Sequence, residues 1–333
     1  MRRYLAPSLA LLLLIGSACG QGGVSGTQSY TVGVDAASPE GENFQYSTFF
    51  PSTVKASPGD SIVFQNRSTQ APHTITFGVN PDRSNQPPVV LPDGTESAVA
   101  DEPCYSEAEP TNKLTKCPSK ELPAYAGTGY WNSGFLVPAP APEGPKEITV
   151  ELADDIEPGQ YRYLCILHGP MAGVIQVVDE GDREPTESIV EVADEQLEKV
   201  RSDAEAIDEP QVGANTVAAG WSGGITAVNR FLPETIEVKS GTKVTWEAFS
   251  DYEPHTVSFG ASFKSGMPGE GQTAPSGVKS GGQYTSGDAN SGIFGKPGGP
   301  FPPGPYALTF TTPGTYPYVC VLHPGMQGTV KVT

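Results

Sequence analysis

The chain is 333 residues long, carries a formal net charge of −18 and is rich in Gly (39) and Pro (33). That length suits two domains, each able to bury its own core, and the Gly and Pro content favours short strands and turns over long helices. The negative charge excludes nucleic acid as a partner, because phosphate would be repelled, and suits a basic protein instead.

Residues 1–18 read as an export signal. Arg2 and Arg3 form a basic n-region, "LALLLLIG" an apolar h-region and "GSAC" a small-residue cleavage site. The apolar run is too short to span a bilayer comfortably. Cys19 stands where a bacterial lipoprotein signal places its lipidated cysteine, although Gly16 occupies a position where Leu is usual. Cleavage and release is the alternative. Residues 19–29 form a flexible tether. The mature protein is therefore expected outside the cytoplasm, in the periplasm or at the cell surface, and membrane-attached through lipid if Cys19 is modified.

From there the chain holds two copies of one pattern. "FFPSTVKASPGDSIVFQNRSTQAPHTITFG" (49–78) aligns without a gap on "FLPETIEVKSGTKVTWEAFSDYEPHTVSFG" (231–260), matching Pro51 to Pro233, Gly59 to Gly241 and His73 to His255. In the first copy, residues 30–178, Ile62 and Phe64 alternate with polar neighbours, as do Ile148, Val150 and Leu152. Alternation of this kind marks half-buried strands. The stretch 79–146 is a long insert. Its Cys104 and Cys117 are expected to close a short loop as a disulfide, since no histidine is left there to complete a metal site. "PGQYRYLC" then opens with a turn and runs into Cys165, His168 and Met171. Residues 179–214 form an acidic linker in which Ile189, Val190, Ala193, Leu197 and Val200 fall at near-helical spacing, read as a mostly solvated helical spacer. The second copy, residues 215–333, repeats the alternation at Val244 and Trp246, carries a Gly-, Pro- and Ser-rich insert at 261–305, and ends with Cys320, His323 and Met326 after "PGTYPYVC". Short antiparallel strands with turns at this spacing predict an all-β protein of two tandem Greek-key β-sandwich domains.

The four histidines of the chain, His73, His168, His255 and His323, all fall at equivalent places in the two copies, together with Cys165, Cys320, Met171 and Met326. Histidines that merely pack would not distribute this way. A thiolate, two imidazoles and a weak thioether suit copper in electron transfer, because the sulfurs favour Cu(I) and the imidazoles accept Cu(II). The upstream histidine follows a proline in both copies, which fixes a backbone torsion beside it.

With the Pro-His strand and the Cys-x-x-His-x-x-Met loop, both copies resemble the blue copper proteins, or cupredoxins, of the plastocyanin and azurin kind, and the short ligand loop is most similar to that of amicyanin. The resemblance covers about 45–78 with 147–178, and 227–260 with 306–333. It implies two type 1 copper sites, one held by His73, Cys165, His168 and Met171, the other by His255, Cys320, His323 and Met326. It also implies that His168 or His323 sits near the surface, where a docked redox partner receives or delivers an electron. The inserts depart from the pattern of small cupredoxins and are long enough to cap the copper end. Some relatives with this loop carry Pro two residues after the cysteine. Leu167 and Leu322 stand there instead, and their amides are expected to hydrogen-bond the sulfur and raise the reduction potential.

The expected function is electron transfer, with a basic c-type cytochrome or a membrane electron-transfer complex as partner. A copper carrier or storage protein that delivers copper to a respiratory enzyme is the alternative. A copper oxidase or nitrite reductase would need further histidines, and none is spare, so no enzyme activity is expected.

Overall fold

The structure, a computed structural model, describes residues 26–78, 89–90, 96–97, 124–128, 131–138, 141, 144–266 and 271–333. Cys19, Cys104 and Cys117, with the lipidation and disulfide expected of them, lie outside the described residues.

The first copy contributes strands β1 (Ser29–Val34), β2 (Phe44–Tyr46), β3 (Phe49–Phe50), β4 (Thr53–Ala56), β5 (Ser61–Asn66), β6 (Thr76–Phe77), β7 (Val89–Val90), β8 (Glu96–Ser97), β9 (Trp131–Asn132), β10 (Glu147–Glu151), β11 (Gly159–Leu164) and β12 (Ala172–Val177). One sheet runs β10-β5-β1-β3 and the facing sheet β4-β12-β11-β6-β9, while β7 and β8 form a separate pair. Helix α1 (Thr186–Glu205) follows. The second copy contributes β13 (Thr216–Gly223), β14 (Thr226–Leu232), β15 (Thr235–Val238), β16 (Thr242–Phe249), β17 (Ser258–Phe259), β18 (Gln283–Tyr284), β19 (Ala289–Asn290), β20 (Tyr306–Phe310), β21 (Gly314–Val319) and β22 (Gln327–Val332). Its sheets run β18-β20-β16-β13-β14-β2 and β15-β22-β21-β17-β19. The fold is all-β apart from short helical segments, in two tandem sandwiches, as the alternation predicts.

The alternating residues do what their spacing implies. Ile62 and Phe64 in β5, and Val244 and Trp246 in β16, are fully buried while their neighbours are partly exposed. Each buried side chain of this size contributes about 1.5–3 kcal/mol. Both sandwiches build the same aromatic centre. Tyr163 packs edge-on against Phe49 (4.7 Å between centroids) and Phe64 (5.0 Å), and Tyr318 does so against Phe231 (4.7 Å) and Trp246 (5.3 Å). Directly opposite each tyrosine stands a glycine, Gly173 in β12 and Gly328 in β22. A Cβ at either glycine would run into the tyrosine ring. The Phe50-Pro51 and Leu232-Pro233 peptides are both cis, a further identity between the copies.

Two features tie the copies together. β2 belongs to the first copy by sequence, yet it pairs antiparallel with β14, as the edge of the second sandwich's sheet. Helix α1 is solvated on one face, as its acidic residues imply, but its other face is docked and makes it more than a spacer. Ile189 is buried in the first sandwich's core, while Ala193, Leu197 and Val200 pack on a cluster formed by Ala36, Phe44, Tyr46, Phe50, Ala204, Trp221 and Val228. The apolar residues that suggested a helix thus serve as its docking face, and only Val190 among them is widely exposed, at 52%.

Candidate metal centres

Each centre is assembled from the end of one strand region and one tight loop. His73 is pinned by two backbone hydrogen bonds with Leu136 (3.0 and 2.8 Å), and His255 by two with Phe294 (2.9 Å each). The loop after β11 closes through Met171 N–H donating to His168 O (3.0 Å) and Cys165 N–H donating to Met171 O (3.0 Å). The loop after β21 repeats this, with Met326 N–H to His323 O (3.2 Å) and Cys320 N–H to Met326 O (2.9 Å). These bonds make the three-residue spacing a single compact turn, which is why the same spacing recurs.

The structure brings the predicted histidine and cysteine donors together. In the first centre His168 Nδ1 lies 3.3 Å from Cys165 Sγ and 3.1 Å from His73 Nδ1. In the second, His323 Nδ1 lies 3.6 Å from Cys320 Sγ. In each triad the ligand atoms all fall within 4.8 Å of one another. All six residues are buried, and Met171 and Met326 are fully buried in the same cores as the two cysteines.

The sulfurs are prepared as thiolates. Burial alone would push Cys165 up, but the His168 charge and the hydrogen bonds of His168 and His73 hold it well below the usual thiol range. Burial likewise opposes, and His255 and His323 overcome, the same shift at Cys320. Each sulfur also accepts one backbone N–H, from Thr74 or from Thr256, at 3.4 Å. The donor is therefore the residue after the upstream histidine, not Leu167 or Leu322, whose amides make no bond to sulfur among the described residues. The threonine hydroxyl completes the link by accepting the N–H of Ile166 (3.1 Å) or Val321 (2.9 Å), the residue after the cysteine. The shared "HT" of both copies carried this signal in the sequence.

The residues present fit a metal. Among the described residues neither ring nitrogen of His255 has a hydrogen-bond partner, although the residue is completely buried. Such an orphaned imidazole is costly unless a further group fills the gap. Two imidazoles converging on a thiolate, with a thioether in the same core, form a donor set that suits copper.

Residues 221–333 match the family model described as copper binding proteins, plastocyanin/azurin family. That match spans most of the second sandwich. Among solved structures, a purple cupredoxin from Nitrosopumilus maritimus is 18% identical, covering 35% of this chain and 98% of its own, with a TM-score of 0.22. A fern plastocyanin variant is 23% identical over 35% of this chain and 99% of its own (TM-score 0.23). A reduced Cu(I) amicyanin variant is 26% identical over 38% and 87% (TM-score 0.23). No curated protein matches the chain. The matched region contains His255, Cys320, His323 and Met326, and the first sandwich brings a second group of two histidines and a cysteine together.

One expectation drawn from the cupredoxin resemblance is overturned. His168 and His323 do not sit at the surface; they are 5% and 3% exposed. The two centres face each other instead. His168 Nε2 lies 3.5 Å from Oε1 of Glu253, and His323 Nε2 lies 3.5 Å from its Oε2. Glu253 is 2% exposed, and its carboxyl is held below the usual range: burial raises it, but the His168 charge and the hydrogen bond and charge of His323 outweigh burial. Gln45, carried in by β2, donates to Glu253 Oε1 at 2.8 Å and accepts from Asn229 Nδ2 at 3.1 Å. The second sandwich with β2 thus covers the imidazole edge of the first loop.

The upstream histidines differ. His73 Nε2 lies 3.2 Å from Oδ2 of the fully buried Asp35. Burial lowers the His73 pKa, but the hydrogen bonds of Asp35 and Cys165 and their charges raise it to about 9. In the second centre Gly220 takes the corresponding place. Asp35 follows Val32 by three residues and Gly220 follows Val217 by three, where Val32 pairs with Phe64 and Val217 with the equivalent Trp246. Both have positive φ, 57° and 66°. A Cβ at Gly220 would run into the His255 ring. Burial, the largest cause, leaves the His255 pKa below its ordinary value.

Proposed function

We propose that the protein is an extracytoplasmic electron-transfer protein with two type 1 copper sites. His73, Cys165, His168 and Met171 would hold one copper, and His255, Cys320, His323 and Met326 the other. The observation that carries the reading is the repeated buried triad, two imidazoles and a thiolate within 4.8 Å, built twice from the same strand and loop. A bound copper would supply a one-electron Cu(I)/Cu(II) couple. The chain's part is to fix the donors. Paired backbone hydrogen bonds hold the upstream histidines, the closed loops hold the thiolates, and Thr74 and Thr256 donate to the sulfurs. Rigid donors favour fast transfer, because little rearranges between oxidation states.

Export, attachment through Cys19 and a basic redox partner belong to the same reading; the signal-like N-terminus and the net charge of −18 support them. All four histidines are used in two sites, which leaves none for a further catalytic copper and favours a carrier of electrons over an oxidase. Copper delivery is the weaker alternative, since deeply buried donors oppose rapid exchange of the ion.

Metal content and the optical spectrum of the mature protein test this. Two coppers per chain and an intense thiolate-to-Cu(II) band are expected, with one copper and part of that band lost in each of Cys165→Ser and Cys320→Ser. A protein that binds only Cu(I) and stays colourless in oxidant would favour delivery, and one that binds no copper would end both readings.

A further inference from the structure

The two centres share one carboxylate but differ in another. Glu253 stands 3.5 Å from an imidazole of each, so its charge reaches both. Asp35 belongs to the first centre alone. Its Oδ1 accepts the N–H of Ala36 (2.6 Å) and of Tyr46 (2.9 Å), and its Oδ2 faces His73 Nε2. One carboxyl oxygen of Asp35 is thus held by the backbone, which aims the other at the His73 ring. At the matching place Gly220 offers His255 no side chain, and His255 Nε2 has no hydrogen-bond partner among the described residues.

A carboxylate bonded to the far nitrogen of a metal-binding imidazole makes that ligand more basic and adds negative charge nearby. Both effects favour the more highly charged state of a bound metal. Gln45 polarises Glu253 on the His168 side in the opposite sense, but as a neutral donor. A charged partner outweighs a neutral one by roughly twofold.

We infer that the centres form an unequal pair joined across Glu253, in which Asp35 gives the first the lower reduction potential, so that an electron entering there passes to the second. The step moves one electron: the first centre goes from cuprous to cupric as the second goes from cupric to cuprous, and no proton moves. The path runs through His168, Glu253 and His323, whose polar atoms form a continuous buried chain between the two loops. The inference rests on both centres holding copper, and the test separates the two.

Spectroelectrochemical titration of the full chain should show two one-electron steps. The single-site proteins Cys320→Ser and Cys165→Ser assign them, with the first centre titrating lower. A single electron should occupy the second centre at least tenfold over the first, a separation of about 59 mV or more for a one-electron couple. In the Cys320→Ser background, Asp35→Asn should raise the potential of the remaining centre; Asn keeps the Oδ1 acceptor and tolerates positive φ. Asp35→Gly, which copies the second centre, should move it the same way. Coincident steps, a first centre that titrates higher, or Asp35 variants that load copper with unchanged potential would overturn the inference. The comparison of the two single-site proteins decides the order even if the Asp35 variants do not fold. Fewer than two coppers in the unmodified chain would instead overturn the two-copper reading beneath it.

Discussion

At Gly220 the chain turns with φ of +66° directly beside the His255 ring, so two constraints meet in one residue. A side chain there is strained by the backbone and blocked by the imidazole. Gly220→Ala should displace His255 and cost the second centre its copper while the first keeps its own, read as metal per chain with the thiolate band as control. The donor residues themselves were legible, because their types and spacing repeat and chemistry leaves few alternatives for two histidines and a cysteine. Their surroundings were legible only in part. Glu253 occupies the position of Ala71 in the aligned copies, so the difference stood in the sequence, but its meaning depends on how the two sandwiches dock. Asp35 lies upstream of the aligned segment, and nothing in its neighbours marks it as a partner of His73. The expectation for Leu167 and Leu322 failed because the sulfur's amide donor comes from across the sheet, from Thr74 and Thr256.

Among the elements, helix α1 was legible as a helix with a solvated face, while its docking onto both copies was not. Its apolar spacing announced a helix; its acidic residues suggested a solvated one. The apolar positions are few, but they sit on one side and meet both copies. Ile189→Ala should destabilise the protein by about 2–5 kcal/mol in equilibrium denaturation, the range for truncating a buried aliphatic side chain. Val190→Ala, at a 52% exposed site, should change stability by no more than about 0.5 kcal/mol. The short strands β2, β6 and β9 were beyond sequence reading, since two or three residues carry no periodicity. β6 begins three residues after His73, so the apolar run "HTITF" is a strand only at its end.

For the molecule as a whole, the buried imidazoles change what an external partner can reach. Neither loop histidine offers an exposed edge, so a redox partner of the kind proposed would dock through other surfaces and long-range attraction. With a net charge of −18, association with a basic redox protein should slow as ionic strength rises, because screening shortens the reach of the field. Stopped-flow reduction by such a protein across a salt series measures this, and a rate that is flat or rises with salt would count against steering by charge.

The position of β2 also bears on how the chain is built. Phe44–Tyr46 is synthesised early, and its partner Thr226–Leu232 follows only after the whole first sandwich and helix α1. Pairing across so long a separation carries a large loop-closure cost and comes late in folding. Until it forms, β14 is an open sheet edge that another chain could occupy. The second sandwich is thus finished by a piece made before it, and neither half reaches its mature form as an independent module.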